Sequence, residues 1–160
     1  MIQTINTINN ENELAILRKP CETVLGISDD IVSAINDLAE TGQSHEGCVG
    51  LASNQIWKDA FNAAPRVFVL RMDKGWGPVI NPEVTKIFKR TETQLEGCMS
   101  VPKSGIPIER AFHIVVNYMD GDGTQIRGMH LYGLVAREFL HELDHLDGKI
   151  ITDYAKRRKT

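Results

Sequence analysis

The stretch His141-Glu142-Leu143-Asp144-His145, close to the C-terminal end, decides how the rest of the chain is interpreted. Two histidines four residues apart lie on one face of a helix, one turn above the other. That spacing lets both imidazoles bind one metal ion, and the glutamate between them can reach a water on the metal. The stretch therefore predicts a metal-dependent hydrolase, which also needs a third ligand, an electrophilic group and a substrate groove from elsewhere in the chain.

The composition of the chain is that of an ordinary globular protein. Its 160 residues fit one domain, and 42% of them are hydrophobic while 24% are charged. A net charge of −3 gives no general attraction to DNA or to membranes, and we expect binding to neither. Three cysteines without a signal peptide predict a reducing compartment, so we expect the protein in the cytoplasm.

Hydrophobic periodicity predicts a single α+β domain over residues 1–160, with antiparallel strands packed around the late helix. We expect an irregular arm over 1–20, of which 1–13 is polar, and then a helix from the N-cap Ser28 to Gly42. Strands are predicted within 67–70, 79–89, 96–102 and 114–118, and a hairpin through 120–129. A helix over 131–146, which ends at Gly148, and a short tail over 151–160 complete the chain.

Two cysteines upstream of the histidines are candidates for the third metal ligand. Cys98 and Cys48 both lie in strand-like, small-residue surroundings. A thiolate with two imidazoles is a suitable tetrahedral set for zinc or ferrous iron. A catalytic site would leave a fourth position open, whereas both cysteines together would close the site.

Three short motifs occur in an order that carries a family resemblance. They are Gly50-Leu51-Ala52 with Gln55, then Glu96-Gly97-Cys98-Met99-Ser100, and then the histidine motif at 141–145. Together they resemble peptide deformylases, the enzymes that hydrolyse the N-formyl group from the formylmethionine of newly made polypeptides and release formate. The resemblance covers most of residues 17–150, and its second motif separates this family from metalloproteases.

The resemblance implies a role for each of several residues. The metal ligands would be Cys98, His141 and His145, holding one divalent ion, with Fe²⁺ as the native metal and Zn²⁺, Ni²⁺ or Co²⁺ as alternatives. Glu142 would carry the proton, and the Gln55 amide with the Met99 backbone N–H would stabilise the oxyanion. A formylmethionyl nascent peptide would lie as an added strand against the following residues: Val49, Gly50, Leu51 and Gly97, with Leu134 in the wall of the methionine pocket. We expect a monomer.

The sequence departs from the family pattern at four positions. Cys48 stands where glycine is usual, and its thiol could pair with Cys98 or occupy the open coordination position. Ser53 replaces an alanine, with little expected effect, and Leu140 replaces a glutamine that would support the metal site by hydrogen bonding. Glu138 lies on the methionine-pocket face, where we expect its carboxylate to turn aside and pair with a neighbouring basic residue.

The short C-terminal segment is similar to trimmed deformylases such as those of phages. In a phage-encoded protein the compartment would be the host cytoplasm. The longer helix that many bacterial members use at the ribosome is missing from this sequence, which places ribosome docking in doubt. The basic run Lys156-Arg157-Arg158-Lys159 would allow only a weak association through RNA phosphates.

Two other functions fit parts of the pattern. A zinc endopeptidase with the same histidine motif would take its third ligand downstream, where only Asp147 and Asp153 are available as acids. A non-enzymatic zinc module would close its site with Cys48, Cys98 and both histidines, and would leave Glu142 and Gln55 without a role.

Overall fold

The computed structural model describes residues 1–73 and 75–156 and contains four α-helices, one short 3-10 helix (Ser53–Gln55) and seven strands within those ranges. The α-helices are α1 (Glu11–Arg18), α2 (Asp29–Ser44), α3 (Gly133–Leu146) and α4 (Thr152–Lys156). The strands are β1 (Gly50–Ala52), β2 (Val67–Met72), β3 (Gly75–Ile87), β4 (Thr91–Cys98), β5 (Val101–Ala111), β6 (His113–Met119) and β7 (Gln125–Tyr132). No helix in the described ranges has the length and apolar character needed to cross a membrane.

All strand pairs are antiparallel, and they form two sheets. The larger sheet has the order β1-β2-β3-β6-β7, and β4 with β5 forms a separate two-stranded sheet. Helix α3 packs on this framework through Phe139, whose ring meets that of Phe68 edge-on with centroids 5.2 Å apart. The prediction of an α+β fold with antiparallel strands around the late helix is therefore confirmed.

Helix α2 begins as predicted but continues past its expected end. The Ser28 side chain accepts a hydrogen bond from the Ile31 backbone N–H at 3.4 Å, as an N-cap does. The helix then runs through Gly42 to Ser44. A Cβ on Gly42 would lie 2.7 Å from the indole ring of Trp76, so this glycine permits close packing and does not end the helix.

Both ends of the chain contain more helix than predicted. Residues 11–18 form α1, although an irregular arm was expected, because Asn10 caps the helix by accepting hydrogen bonds from the backbone N–H groups of Asn12 and Glu13. Residues 152–156 form α4 within the expected tail. Residues 157–160, which carry most of the basic run, lie outside the described residues.

Helix α3 begins two residues later than predicted and ends as predicted. Leu131 and Tyr132 belong to β7, where Tyr132 pairs with His113 of β6. The chain turns into the helix at Gly133, which has φ 55° and donates its N–H to the Phe112 carbonyl. Gly148 follows the helix with φ 71°, the left-handed conformation that glycine adopts at no steric cost.

Candidate active site

The three predicted metal ligands come together at one point. Cys98 is the last residue of β4, while His141 and His145 lie one turn apart on α3. One ligand atom from each residue lies within 4.8 Å of the other two, and the Cys98 Sγ is 3.2 Å from Nε2 of His145. Within the ranges that the structure describes, this is the one such group of His, Cys, Asp and Glu side chains, and Cys48 is not part of it.

The cysteine of this group is held as a thiolate. Burial raises the pKa of the Cys98 thiol. The charges of His145 and His141 and hydrogen bonds from both have the larger effect and lower the pKa to about 5. A thiolate is the form in which cysteine binds a metal. The site therefore offers one soft anionic ligand and two imidazoles.

A buried carboxylate orients one of the imidazoles. Oε2 of Glu96 lies 2.9 Å from Nδ1 of His141, which directs the Nε2 side of the ring towards Cys98. Glu96 also accepts two hydrogen bonds from Arg110, at 2.6 and 2.9 Å, and one from Arg137 at 2.6 Å. Burial raises the pKa of Glu96, but hydrogen bonds from His141 and Arg110 and the Arg110 charge bring it to about 2.

Neither arginine was predicted from the sequence, and Glu96 was predicted only as part of a motif. Arg110 continues the network to Asp144, at 2.8 Å, whose carboxylate also accepts from the Tyr154 hydroxyl at 2.7 Å. Arg137 extends to the Ile108 carbonyl at 2.9 Å. One signal in the sequence could have revealed this network: both arginines stand at positions of β5 and α3 that the hydrophobic pattern places towards the interior. A buried arginine needs an acidic partner, so each of these positions predicts a nearby carboxylate.

The donor set fits a divalent metal ion. A tetrahedral ion with bonds of about 2.3 Å to sulfur and about 2.0 Å to nitrogen brings these ligand atoms about 3.5 Å apart, close to the arrangement of Cys98 and the histidines. Burial lowers the pKa of His141, but the hydrogen bonds that its ring donates to Cys98 and Glu96, together with the charge of Glu142, raise it to about 10. Anionic groups therefore favour positive charge at this point in the protein.

Glu142 lies beside the ligand group without a partner of its own. It is buried, and its Oε2 makes no hydrogen bond within the described residues. Burial raises the pKa of its carboxyl group to about 7, against the lowering effect of His141 and His145. Gly50 of β1 packs directly against it, because a Cβ there would lie 2.6 Å from Oε1 of Glu142.

Gln55 is held in one orientation next to the ligand group. Its Oε1 accepts from the Ala52 backbone N–H at 2.8 Å, and its Nε2 donates to the Ser100 hydroxyl at 3.1 Å. The same Nε2 lies 3.9 Å from the Cys98 Sγ, so the amide N–H group points towards the site. Met99 follows Cys98 in the turn between β4 and β5.

Asn54 joins three separate segments behind the site. It is buried, and its Nδ2 donates to the carbonyls of His145, at 2.6 Å, and Leu17, at 3.2 Å. The turn after β1, helix α1 and the end of α3 are thereby connected through one amide group. This contact fixes the position of the helix end that carries His145.

A cavity of about 400 Å³ opens over the ligand group between two strand edges. β1 is at the edge of the larger sheet, and β4 pairs with β5 only. The following predicted residues line the cavity: Val49, Gly50, Gln55, Gly97, Cys98, Met99, Leu134, His141 and Glu142. Leu51 does not line it, since the whole residue is 0% exposed and lies in the core.

Cys48 and Glu138 occupy the cavity wall in ways that the sequence did not predict. The Cys48 Sγ donates to the Gly50 carbonyl at 3.2 Å, and burial and the charge of Glu142 raise the pKa of its thiol to about 12. It is neither a ligand nor bonded to Cys98. Glu138 makes no hydrogen bond or ion pair within 1–73 and 75–156, so the expected pairing with a basic residue was wrong.

The other two departures have clear structural roles. Ser53 is buried and donates its hydroxyl hydrogen to the Pro65 carbonyl, which secures the loop before β2. Leu140 packs against the core cluster around Phe139 and brings no polar group towards the ligands.

The family model for polypeptide deformylases matches residues 2–160. The chain belongs to the polypeptide deformylase family. A peptide deformylase of Thermotoga petrophila is 39% identical over 140 residues, which cover 86% of this chain and 80% of the relative. This deformylase-family chain therefore spans most of the length of that relative.

Solved structures agree with this family membership. The crystal structure of the Thermotoga maritima peptide deformylase matches this deformylase-family chain with a TM-score of 0.84 and 33% identity, over 96% of this chain and 97% of the other. A peptide deformylase of Synechococcus elongatus, solved in complex with actinonin, matches with a TM-score of 0.81 and 28% identity, over 94% of this chain and 76% of the other.

Proposed function

We propose that the protein is a metal-dependent deformylase that hydrolyses the N-formyl group from the formylmethionine of nascent polypeptides and releases formate. One observation carries this proposal: Cys98, His141 and His145 meet beside the unpaired Glu142 in a cavity bounded by two free strand edges. The family membership of the chain supports the same activity.

Glu142 has the position and the pKa of a proton carrier. A divalent ion held by Cys98, His141 and His145 would polarise the formyl carbonyl. It would also lower the pKa of a water molecule, so that this water could attack the carbonyl as hydroxide at neutral pH. With a pKa of about 7, the Glu142 carboxylate is able to take a proton from water and give it to the departing amine. Its unpartnered Oε2 is the atom that would hold this proton.

Gln55 and the backbone N–H of Met99 are proposed to stabilise the developing oxyanion. The Gln55 amide is fixed by Ala52 and Ser100, so its donor needs no reorganisation during the reaction. Removing one such donor typically costs about 3 kcal/mol of transition-state stabilisation.

The substrate would bind through its main chain. The free edges of β1 and β4 would offer backbone groups of Val49, Gly50 and Gly97 to an extended peptide, whereas Leu51 is buried. Pairing of this kind does not depend on the peptide's sequence. The side chain of Leu134, which is 60% exposed at the cavity, would contact the methionine. We also propose that the chain acts as one domain and a monomer in the cytoplasm, with Fe²⁺ as its native metal and at most a weak association with the ribosome.

The two other candidate functions lose support from specific contacts. An endopeptidase would need a downstream acidic ligand, but Asp147 is paired with Arg66 at 2.9 Å and Asp153 with Arg18. A closed zinc module would need Cys48 as its fourth ligand, but the Cys48 thiol donates a hydrogen bond to the Gly50 carbonyl. Neither acid belongs to the ligand group, and neither does Cys48.

Formate release from formyl-Met-Ala-Ser tests the proposed activity. We expect Glu142→Ala to lower kcat on the order of 1,000-fold while the metal content stays unchanged, because it removes the proton carrier but no ligand. Glu109→Ala, which changes an exposed glutamate of β5, is the matched control and should retain full activity. Full activity of Glu142→Ala, or cleavage of the peptide bond instead of formate release, would overturn the proposal.

A further inference from the structure

A second cluster of potential metal ligands lies outside the active-site cavity, where β6 and β7 meet. His113 begins β6, and His130 and Tyr132 are two residues apart on β7, so that they share one face of the sheet. His113 is directly opposite Tyr132 in the antiparallel pair and diagonal to His130. None of the three residues lines the active-site cavity.

The imidazole of His113 is held between two aromatic rings. It is stacked on Phe88 with centroids 3.7 Å apart and an interplanar angle of 5°. On its other side Tyr132 is stacked at 4.1 Å and 22°. This arrangement limits rotation of the ring and leaves its nitrogen atoms at the edge of the stack, which is the preorganisation that a ligand residue needs.

Three donor atoms converge at the edge of this stack. Nε2 of His113 lies 3.0 Å from Nδ1 of His130, and the hydroxyl oxygen of Tyr132 lies 3.3 Å from the same Nδ1. Two imidazole nitrogens bound to one ion at about 2.0–2.1 Å are about 2.9 Å apart at a right angle and about 3.3 Å apart at the tetrahedral angle. The observed separation therefore suits chelation without movement of either strand.

We propose that His113 and His130, with the hydroxyl of Tyr132 as a weaker third donor, form a surface site for a divalent transition metal ion such as Zn²⁺. Neutral imidazole favours zinc, nickel and copper ions over magnesium and calcium ions, which prefer oxygen ligands. A bound ion would stabilise the pairing of β6 with β7, just before the chain enters α3.

Equilibrium dialysis against Zn²⁺, followed by counting of ions per chain, tests the site on the full protein. The wild type should hold two ions, and His113→Asn and His130→Asn should each hold one. Each substitution should lower the affinity of the surface site for Zn²⁺ on the order of 100-fold or more, because changes to residues that only support a ligand already cost about 10- to 100-fold. Cys98→Ala should lose the active-site ion and keep the surface ion. His45→Asn is the matched control, because His45 lies in neither group and should leave two ions bound.

Activity and folding are checked on the same variants. His113→Asn and His130→Asn should retain deformylation and the wild-type circular dichroism spectrum, because both residues lie outside the active-site cavity. The proposed site would be overturned if His113→Asn and His130→Asn each bind as many ions as the wild type, or if Cys98→Ala binds none. Equal loss of the second ion in His45→Asn would do the same.

Discussion

Replacing Glu96 with glutamine tests the buried network that supports His141. The ordinary pKa of 4.5 falls to about 2 in the folded protein, and each pKa unit corresponds to about 1.4 kcal/mol, so the ionised carboxylate contributes about 3 kcal/mol to stability at neutral pH. The buried Arg137 would lose its anionic partner, and the buried Arg110 would keep only Asp144. We therefore expect Glu96→Gln to lower the free energy of unfolding by at least about 3 kcal/mol at pH 7.

Urea unfolding in the presence of a chelator measures this loss separately from metal binding. Because the folded pKa of Glu96 is lowered, its contribution is present above pH 4.5 and is lost as the pH falls towards 2. The difference in unfolding free energy between the wild type and Glu96→Gln should accordingly shrink between about pH 5 and pH 2. Glu92→Gln is the control, since Glu92 pairs with the exposed Arg90 and its loss should cost less than about 1 kcal/mol. A Glu96→Gln loss below about 1 kcal/mol at pH 7 would refute the reasoning.

Three further substitutions have defined outcomes. Gly50→Ala should lower formate release on the order of 100-fold, because the new methyl group would lie 2.6 Å from Oε1 of Glu142 and displace it; Gly105→Ala, with open space around it, should have no effect. Glu138→Val should leave turnover of formyl-Met peptides equal or improved, since it removes an unpaired, partly buried carboxylate from the cavity; a large loss would show that the carboxylate has a positive role. Gly148→Ala should lower the unfolding free energy by more than about 1 kcal/mol in urea, because φ is 71° and its methyl group would overlap the Arg18 carbonyl; unchanged stability would contradict this.

The ligand group was predictable from the sequence because two of its members are separated by one helical turn and the third lies in a short motif. The order of the strands was not predicted, and the strand predicted over 96–102 is instead the end of β4, a turn and the start of β5. Helix α1 was not predicted either, because its eight residues have little apolar periodicity and depend on the Asn10 cap. The local sequence at Leu131 and Tyr132 is compatible with either a helix or a strand, and pairing with β6 stabilises the strand.

The network behind the ligands could not be predicted, because its contacts are distant in the sequence. Glu96 meets Arg110 across 14 residues and Arg137 across 41, and no local pattern records which acid a buried arginine will meet. That Glu138 has no ion pair among the described residues could not be predicted for the same reason. Packing, rather than spacing, decides whether a carboxylate on the cavity face can reach a cation.

The contact between Asn54 and His145 has a consequence for the order of folding. It joins residues 91 positions apart, and it connects them to Leu17 in the first helix. Closing such long loops lowers the conformational entropy of the chain before these contacts form. Chains with many distant contacts therefore fold slowly and in a cooperative step. The ligand histidines therefore reach their final positions only when the first and last parts of the chain have met, so that metal capture belongs to the end of folding.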